Sequence, residues 1–383
     1  MNSPSAVCQL PSAPRILIRG TNWLGDAVMT TAALRRLREK FPGAHIALLT
    51  PEKLRELWIA HPAINETISF APGETVFAIG KKLRAGKFDV ALVLPNSPRA
   101  AIETWLAGIP QRIGYARPWR NYFLTQTIAS HSGSVKMRKL TAAEIHRRTG
   151  VAPFSNQTKY RLETGRMPVL PSSAHQIHEY LHLVAALGAN PEPLPPQLFV
   201  TPDEIEIAKK KFGLEKITPP VFGLNPGAEY GPAKRWPAGK FIAAAQEIQR
   251  RTNCVWILFG GKGDETAAAQ IQSAIGNQQS TVNLSGQTSL RELMSLLTIC
   301  RVLLTNDSGP MHVAAALGTP VVVPFGSTSP ELTGPGLPGD PAHRLLKSDA
   351  PCSPCFRREC PIDFRCLNGI SVERVVEAVL QMI

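Results

Sequence analysis

Short apolar runs alternate with amphipathic segments along most of the chain, and this alternation constrains the fold more than any other feature. In the first half, the runs RILIR, IALLT and DVALVLP are each followed by a segment of helical periodicity. The alternation restarts later with PVFGLNPG, CVWILFGG and RVLLTND. Such alternation is typical of parallel sheets covered by helices on both faces. The sequence therefore predicts an α/β protein with two Rossmann-like domains facing a central cleft, and ligands at the carboxyl ends of the strands.

The proline-rich segment ANPEPLPPQLF separates the two blocks. Because proline cannot continue a helix or a central strand, this segment predicts a stiff linker between domains. We predict, in order, a disordered tail, an N-terminal domain, the linker, a C-terminal domain and a last helix that packs back on the N-terminal domain. These parts span residues 1–13, 14–188, 189–200, 201–370 and 371–383.

Positive charge is the main signal in the composition. Lysine and arginine number 42 against 29 acidic residues, and the net charge of +13 predicts attraction to nucleic acid, an anionic membrane or a phosphorylated substrate. Between residues 135 and 166, Glu144 and Glu163 are the only acids beside eight basic residues, namely Lys136, Arg138, Lys139, Arg147, Arg148, Lys159, Arg161 and Arg166. A solvated surface is the simpler interpretation of this run, and a polyanion-binding surface is the alternative.

The N-terminal residues show neither the charged segment nor the apolar core of a secretory signal, and no apolar run is long enough to span a membrane. We therefore expect a cytoplasmic protein whose cysteines are reduced thiols or metal ligands. Four of them follow the pattern C-x2-C-x4-C-x5-C: Cys352, Cys355, Cys360 and Cys366. This spacing is consistent with one structural zinc ion, with redox-active thiols, or with reduced thiols that order a loop.

The segment LLTNDSGPMHVAAALGTP predicts an anion site. Its strand ends at Thr305, a tight turn follows, and Gly309 and Pro310 begin a helix. Exposed N–H groups and the positive end of the helix dipole bind anions at such a position, and the small turn residues let a diphosphate approach. The alternative is an ordinary helix N-cap made by Asp307 or Ser308.

The segment NPGAEYGPAKRWP follows the strand VFGL and precedes another helix. Gly227 and Gly231 permit close approach to the backbone, and Lys234 with Arg235 could clamp a leaving diphosphate. A surface loop anchored by Trp236 is the alternative. Neither segment is a P-loop, and no G-x-G-x-x-G fingerprint is present, so the sequence does not indicate ATP hydrolysis or a dinucleotide-dependent oxidoreductase.

In the first half, the turn TNWLGD brings Gly25 and Asp26 to the end of a strand and the start of a helix. The helix dipole favours the ionised form of a carboxylate there, and an ionised carboxylate can accept a proton from an attacking hydroxyl group. An N-cap is again the alternative, and the residue chemistry by itself favours it.

Together, GTNWLGDAVMTTAALRRL, AGIPQRIGY, NPGAEYGPAKRWP and TNDSGPMHVAAALGTP resemble the bacterial lipopolysaccharide heptosyltransferases. The resemblance covers both halves of the chain. It implies a GT-B glycosyltransferase with an N-terminal acceptor domain and a C-terminal domain that binds ADP-heptose. It also implies inverting transfer of heptose onto the lipopolysaccharide inner core, without a cofactor required for catalysis.

The resemblance also implies roles for individual residues. Asp26 matches the proposed general base, and Lys234 matches the lysine that binds phosphate. The expected donor-binding residues are Gly227, Lys234, Arg235, Asp307, Ser308, Gly309 and His312, and the expected acceptor-binding residues are Asn22, Asn96, Arg117 and Arg120. The basic stretch would suit a phosphorylated Kdo- and heptose-bearing lipid A acceptor, with the protein peripheral on the cytoplasmic face of the inner membrane.

Two alternatives to this function remain open. The first is a related core glycosyltransferase that uses a different acceptor, Kdo, or a different nucleotide sugar. The second is a non-catalytic basic protein that binds nucleic acid, suggested by the charge of +13. We do not expect a nucleic-acid partner, because the basic segment lacks interleaved aromatic residues and the chain shows no recognisable DNA-reading motif.

Overall fold

Each block of alternating strands and helices forms one six-stranded parallel sheet in the computed structural model, which describes residues 10–151, 170–276 and 280–383. The predicted α/β class is confirmed. The chain divides into a first unit, Met1–Ser134 with Ser173–Phe199, and a second unit, Val135–Ser172 with Val200–Ile383. Part of the predicted tail, residues 1–9, and three residues of the basic run, Lys159, Arg161 and Arg166, lie outside the described residues.

The sheet of the first unit consists of β1 (Arg15–Arg19), β2 (His45–Pro51), β3 (Glu66–Phe70), β4 (Val90–Val93), β5 (Gln111–Tyr115) and β6 (Gln126–Ile128). Their order is β3-β2-β1-β4-β5-β6, and all neighbours are parallel. Ile16, Leu17 and Ile18 of β1 are all fully buried. Burial of consecutive residues means that both faces of this central strand are covered, which explains its unbroken apolar sequence.

The helices that accompany this half of the chain are α1 (Leu24–Lys40), α2 (Val76–Arg84), α3 (Pro98–Leu106), α4 (Ala142–Thr149) and α5 (Ile177–Ala185). Helix α1 packs against α5, and α2 packs against α3. Helix α1 buries Leu34 and Leu37, which repeat at helical spacing along one face.

The sheet of the second unit repeats the same topology. Its strands are β7 (Val221–Asn225), β8 (Val255–Leu258), β9 (Thr281–Asn283), β10 (Leu303–Thr305), β11 (Val321–Pro324) and β12 (His343–Leu346). The order is β12-β11-β10-β7-β8-β9, again with parallel neighbours. In both sheets the first strand therefore lies beside the fourth, and the strand order reverses between them.

The remaining helices all belong to the second unit. They are α6 (Pro202–Lys211), α7 (Ala238–Thr252), α8 (Glu265–Ile275), α9 (Leu290–Thr298), α10 (Gly309–Ala316), α11 (Pro330–Thr333), α12 (Arg365–Asn368) and α13 (Val372–Leu380). Within the ranges that the structure describes, no helix is both long enough and apolar enough to cross a membrane.

Several helices begin at a side-chain cap. The Thr141 hydroxyl accepts from the Glu144 N–H at the start of α4, and the Glu144 carboxylate accepts from the Thr141 N–H in return. The same capping box begins α6 and α9. Helices α1 and α10, which follow the two candidate turns, begin without a side-chain cap.

The observed division differs from the predicted domain boundaries in two places. The segment Val135–Ser172 groups with the second unit, although the sequence pattern assigned it to the N-terminal domain. The last helix, α13, was predicted as a separate part, but it belongs to the second unit, where it packs on α7. Its buried residues Val375 and Val379 join the apolar core beneath that sheet, so hydrophobic burial accounts for its position. Packing of α13 on the N-terminal domain stays a prediction.

The basic segment, within Val135–Ser172, contacts the cysteine-rich loop, residues 352–366. Leu140 and Ile145 bury their side chains against Cys352 and Cys355. The Leu140 N–H donates to the Cys355 carbonyl at 3.0 Å, and Arg357 Nη1 donates to the Leu140 carbonyl at 3.0 Å. These contacts could not be predicted from local sequence patterns, because they join residues more than 200 positions apart.

A buried ion pair supports the end of β1. Arg19 Nε lies 2.7 Å from Glu103 Oε2 of α3, and both side chains are almost fully buried. Burial lowers the pKa of Arg19 from its usual value, and the negative charge of Glu103 opposes that shift. Arg19 Nη1 also donates to the Gly20 carbonyl and, at 2.9 Å, to Asn22 Oδ1. The pair therefore fixes the first residues of the turn after β1.

Replacing Glu103 should destabilise the first unit strongly. Glu103→Ala leaves the guanidinium of Arg19 buried without its counter-charge, and breaking a buried pair in this way costs about 3–5 kcal/mol. Urea denaturation followed by circular dichroism measures the loss. Glu247→Ala, which removes a solvent-exposed pairing on α7, is the matched control and should change stability little. Equal small effects of both substitutions would contradict this role of the Arg19–Glu103 pair.

Candidate active site

In the second unit, the two loops at the reversal of strand order are tied together. They follow β7 and β10, which are neighbours in the sheet. Asn225 Nδ2 donates to Thr305 Oγ1 at 3.0 Å and to Ser308 Oγ at 3.1 Å. Asn306 accepts from the Trp236 N–H at 2.9 Å and donates to the Pro226 carbonyl at 2.6 Å. The two segments singled out in this half of the sequence therefore form one site, at the position where open parallel sheets bind ligands.

Lys234 lies at the centre of this site. Its Nζ is 2.7 Å from Asp307 Oδ2 and 5.0 Å from the centroid of the Tyr230 ring. Thr328 Oγ1 donates a short hydrogen bond to the same oxygen of Asp307. Both side chains of the ion pair are largely buried, and burial strengthens their attraction. The ammonium group is therefore held directly before the first turn of α10.

The first turn of α10 is not capped by a side chain. Ser308 is the N-cap residue, but its side chain makes no cap bond, and its Oγ accepts from Asn225 instead. The Asp307 carboxylate bonds to Lys234 and Thr328. Neither Asp307 nor Ser308 therefore caps α10 with its side chain. His312 follows in the first turn and is buried. The positive end of the helix dipole and the Lys234 charge together favour an anion here.

The glycines and Arg235 of the loop after β7 have contacts within the second unit. A Cβ atom at Gly227 would overlap the Asp264 carboxylate, and one at Gly231 would lie 2.6 Å from the Arg358 carbonyl oxygen. Glycine is therefore required at 231, where the backbone φ of +148° is also strained for other residues, whereas a side chain at 227 would require Asp264 to move. Arg235 is about half exposed, and its Nη2 lies 3.9 Å from Asp264 Oδ1. Binding of a donor by Gly227 and Arg235 stays a prediction.

In the first unit, the turn after β1 lies beside the end of β4, again where the strand order reverses. Helix α1 begins at Leu24 with Trp23 as its N-cap residue, and no side chain caps it. Asp26 is the third helical residue, so the interpretation of Asp26 as an N-cap is wrong. A carboxylate in the first turn is stabilised in its ionised form by the helix dipole.

The Asp26 carboxylate has a partner that sequence reasoning missed. Gln176, directly before α5, donates from Nε2 to Asp26 Oδ1 at 3.2 Å and to Tyr180 Oη at 2.8 Å. Burial raises the pKa of Tyr180, and the charge of Asp26 raises it further. Gln176 lies 150 positions from Asp26 and belongs to no recognised motif, so nothing local in the sequence pointed to it.

The predicted acceptor residues differ in accessibility. Arg120 is fully buried, where it donates to Asn96 Oδ1 at 3.0 Å and to the Val93 carbonyl at 3.3 Å. Burial, with a smaller contribution from Arg117, lowers the pKa of Arg120 to about 10. Arg120 therefore supports the loop after β4. Asn22 is exposed and Arg117 is half-buried, and an acceptor-binding role for these four residues stays a prediction.

The cysteine cluster lies apart from these turns in sequence. Cys352, Cys355 and Cys366 are buried, Cys360 is partly buried, and none of the four forms a disulfide. Burial, together with the negative charge of neighbouring thiolates, raises the pKa of Cys352 to about 11 and that of Cys366 to about 12. Among the described residues, no three or more His, Cys, Asp or Glu side chains are grouped so that they could hold a metal ion. Zinc binding stays a prediction.

The sequence of this chain is similar to a known family over most of its length. The family model described as glycosyltransferase family 9 (heptosyltransferase) matches residues 76–139 and 131–364. Lipopolysaccharide heptosyltransferase 2 of Salmonella typhimurium is 32% identical over 330 residues, covering 84% of this chain and 85% of that protein. Lipopolysaccharide heptosyltransferase 2 of Escherichia coli K12 is 32% identical over 336 residues, with coverages of 84% and 85%.

Solved structures agree with these relatives. The structure of E. coli ADP-heptose LPS heptosyltransferase II matches with a TM-score of 0.73 at 28% identity, covering 96% of this chain and 98% of that one. A glycosyl transferase family 9 structure from Veillonella parvula has a TM-score of 0.76 at 21% identity, which is a likeness in fold. The predicted GT-B fold is confirmed. Because the family model spans most of the sequence and the relatives match most of its length, the chain belongs to glycosyltransferase family 9, the heptosyltransferases, and is a glycosyltransferase.

Proposed function

We propose that the enzyme transfers heptose from ADP-heptose onto the inner-core heptose of lipopolysaccharide, with inversion at the anomeric carbon. The observation that carries the proposal is the Lys234–Asp307 pair at the N-terminus of α10, in a chain 32% identical to proteins named lipopolysaccharide heptosyltransferase 2. This arrangement suits a nucleotide diphosphate, because it offers a positive charge beside a helix start that no side chain caps.

The leaving group would be stabilised at Lys234. When the bond between the anomeric carbon and the phosphate oxygen breaks, negative charge develops on the diphosphate. The Lys234 ammonium, 2.7 Å from Asp307 before the donor binds, would turn toward the phosphate, and the N-terminus of α10 would add its dipole. These two groups can carry the charge stabilisation that a bound cation supplies in other transferases.

The attacking hydroxyl would be deprotonated by Asp26. The oxygen of the acceptor hydroxyl forms the new bond to the anomeric carbon on the face opposite the diphosphate, its proton passes to Asp26, and ADP leaves. The position of Asp26 in the first turn of α1 and the hydrogen bond from Gln176 both favour the ionised carboxylate that this step requires.

The basic segment would serve the acceptor. Lys136, Arg138, Lys139 and Arg147 are exposed in the described part of that segment, and Arg138 pairs with Glu144. Exposed cations attract the phosphates and carboxylates of a Kdo- and heptose-bearing lipid A. They would also attract an anionic leaflet, so we propose a cytoplasmic enzyme that is peripheral on the inner membrane.

A transfer assay tests the overall proposal. With ADP-heptose as donor, heptosyl-Kdo-lipid A should be extended, whereas Kdo-lipid A without heptose should not. Because the proposed reaction uses Lys234 and a helix N-terminus, turnover should persist in EDTA. Transfer from a UDP-sugar in preference to ADP-heptose, or extension of Kdo alone, would favour the related core transferases. Salt-sensitive binding of nucleic acid without binding of ADP-heptose would favour a non-catalytic protein.

Asp26→Asn should lower kcat by about 100-fold or more, because the amide cannot accept the proton. ADP affinity should stay within about twofold, since the substitution is isosteric and the proposed nucleotide site lies in the other unit. Steady-state kinetics and calorimetric titration with ADP measure the two effects. Near-normal turnover of a folded Asp26→Asn enzyme would show that Asp26 is not the base.

Lys234→Ala should weaken ADP binding by about 10-fold or more, the loss expected for a charge-assisted hydrogen bond. Part of that loss would come from Asp307, left without its cation beside the phosphate. The double substitution Lys234→Ala with Asp307→Asn should therefore recover some affinity. Lys209→Ala, which removes a half-buried lysine of α6 that pairs with Glu206, is the matched control. Unchanged ADP affinity in Lys234→Ala would contradict the clamp.

A further inference from the structure

The amide of Gln176 bridges Asp26 and a buried tyrosine. Its Nε2 atom lies 3.2 Å from Asp26 Oδ1 and 2.8 Å from Tyr180 Oη, so both N–H bonds of the amide have a partner. An ionised carboxylate accepts hydrogen bonds only, and the amide therefore presents its nitrogen to Asp26. All three side chains belong to the first unit.

The bridging amide is held in place by rigid surroundings. Tyr180 is about 5% exposed, and Ile177, Leu181 and Val184 of the same helix are buried in the core. Helix α5 packs along α1, the helix that carries Asp26. Because α1 and α5 pack together, the Gln176 amide and the Asp26 carboxylate are held in a fixed relative position. Supporting hydrogen bonds of this kind hold a reactive side chain in one orientation.

Glu179, another charged residue of α5, has partners away from the bridge. Glu179 of α5 accepts a hydrogen bond from Ser134, and its Oε1 lies 3.5 Å from His131 Nε2. Tyr180 has a raised pKa because of burial first and of Asp26 second, so its hydroxyl group stays neutral beside the carboxylate. Gln176 is thus the neutral donor placed between Asp26 and Tyr180.

We propose that Gln176 is a positioning residue for the reaction, which acts by orienting the Asp26 carboxylate and by stabilising its ionised form. The inference rests on the proposed role of Asp26 as general base. Gln176 itself exchanges no proton, because an amide neither gains nor loses one at physiological pH.

The test is a comparison of Gln176→Ala and Gln176→Glu in the transfer assay with ADP-heptose and heptosyl-Kdo-lipid A. Loss of a hydrogen bond to a charged group should lower kcat by about 10-fold in Gln176→Ala, with KM for ADP-heptose within about twofold. The acid limb of the pH profile of kcat should move to higher pH, because the ionised base has lost a donor. Gln176→Glu, nearly isosteric, should move it further, since two carboxylates then compete for one proton.

Matched variants separate this effect from a general disturbance of the fold. Gln246→Ala removes a glutamine of α7 in the second unit, whose Nε2 donates at 2.7 Å to the Ala274 carbonyl of α8. The kcat and pH profile of this variant should match those of the unaltered enzyme. Tyr180→Phe removes the second partner of the bridge and should shift the pH profile less than Gln176→Ala does. Thermal unfolding of each variant confirms that the protein is folded.

A double-mutant cycle tests separately whether Asp26 is the base and whether Gln176 positions it. If Gln176 acts through Asp26, adding Gln176→Ala to Asp26→Asn should cause no further loss of kcat. Full activity of Asp26→Asn would overturn the proposed base. A large loss in Asp26→Asn, together with an unaltered kcat and pH profile in both Gln176 variants, would overturn the positioning role and leave the base intact. Additive losses in the double variant would also overturn it.

Discussion

Both candidate sites depend on one constraint of parallel sheets. All strands of such a sheet end at the same edge, and where the strand order reverses, the two adjacent loops turn to opposite faces and leave space between them. The reversal lies between β1 and β4 in the first unit and between β7 and β10 in the second. Asp26 follows β1 and Asp307 follows β10, so buried backbone fixes the position of each carboxylate.

The polar groups at these positions are held by partners inside their own unit. Lys234 is bound to Asp307, and Asp26 is bound to Gln176. A charge that is already oriented and partly desolvated needs little reorganisation when a substrate binds, and this preorganisation is the main way in which proteins stabilise developing charge. The short bond from Thr328 to Asp307 extends the same support to the loop after β11.

The sequence predicted the sheets and the two turns because each turn directly follows an apolar strand, so that strand, turn and helix are contiguous. It did not predict Gln176 or Thr328, because their contacts depend on tertiary packing between distant segments. The grouping of Val135–Ser172 with the second unit was missed for the same reason, since Leu140 and Ile145 find their apolar partners at Cys352 and Cys355. The contact between Gly227 and the Asp264 carboxylate was not predicted either, because it also depends on tertiary packing.

The path of the chain has a consequence for dissecting the enzyme. The polypeptide leaves the first unit after Ser134, returns to it at Ser173 and leaves it again after Phe199, so three peptide connections join the two units. Neither unit is one uninterrupted stretch of sequence. A fragment ending near residue 188 would carry Leu140 and Ile145 without the loop that buries them, and would expose an apolar surface prone to aggregation. Exchange of either unit between relatives therefore requires that the segment Val135–Ser172 stay with the second unit.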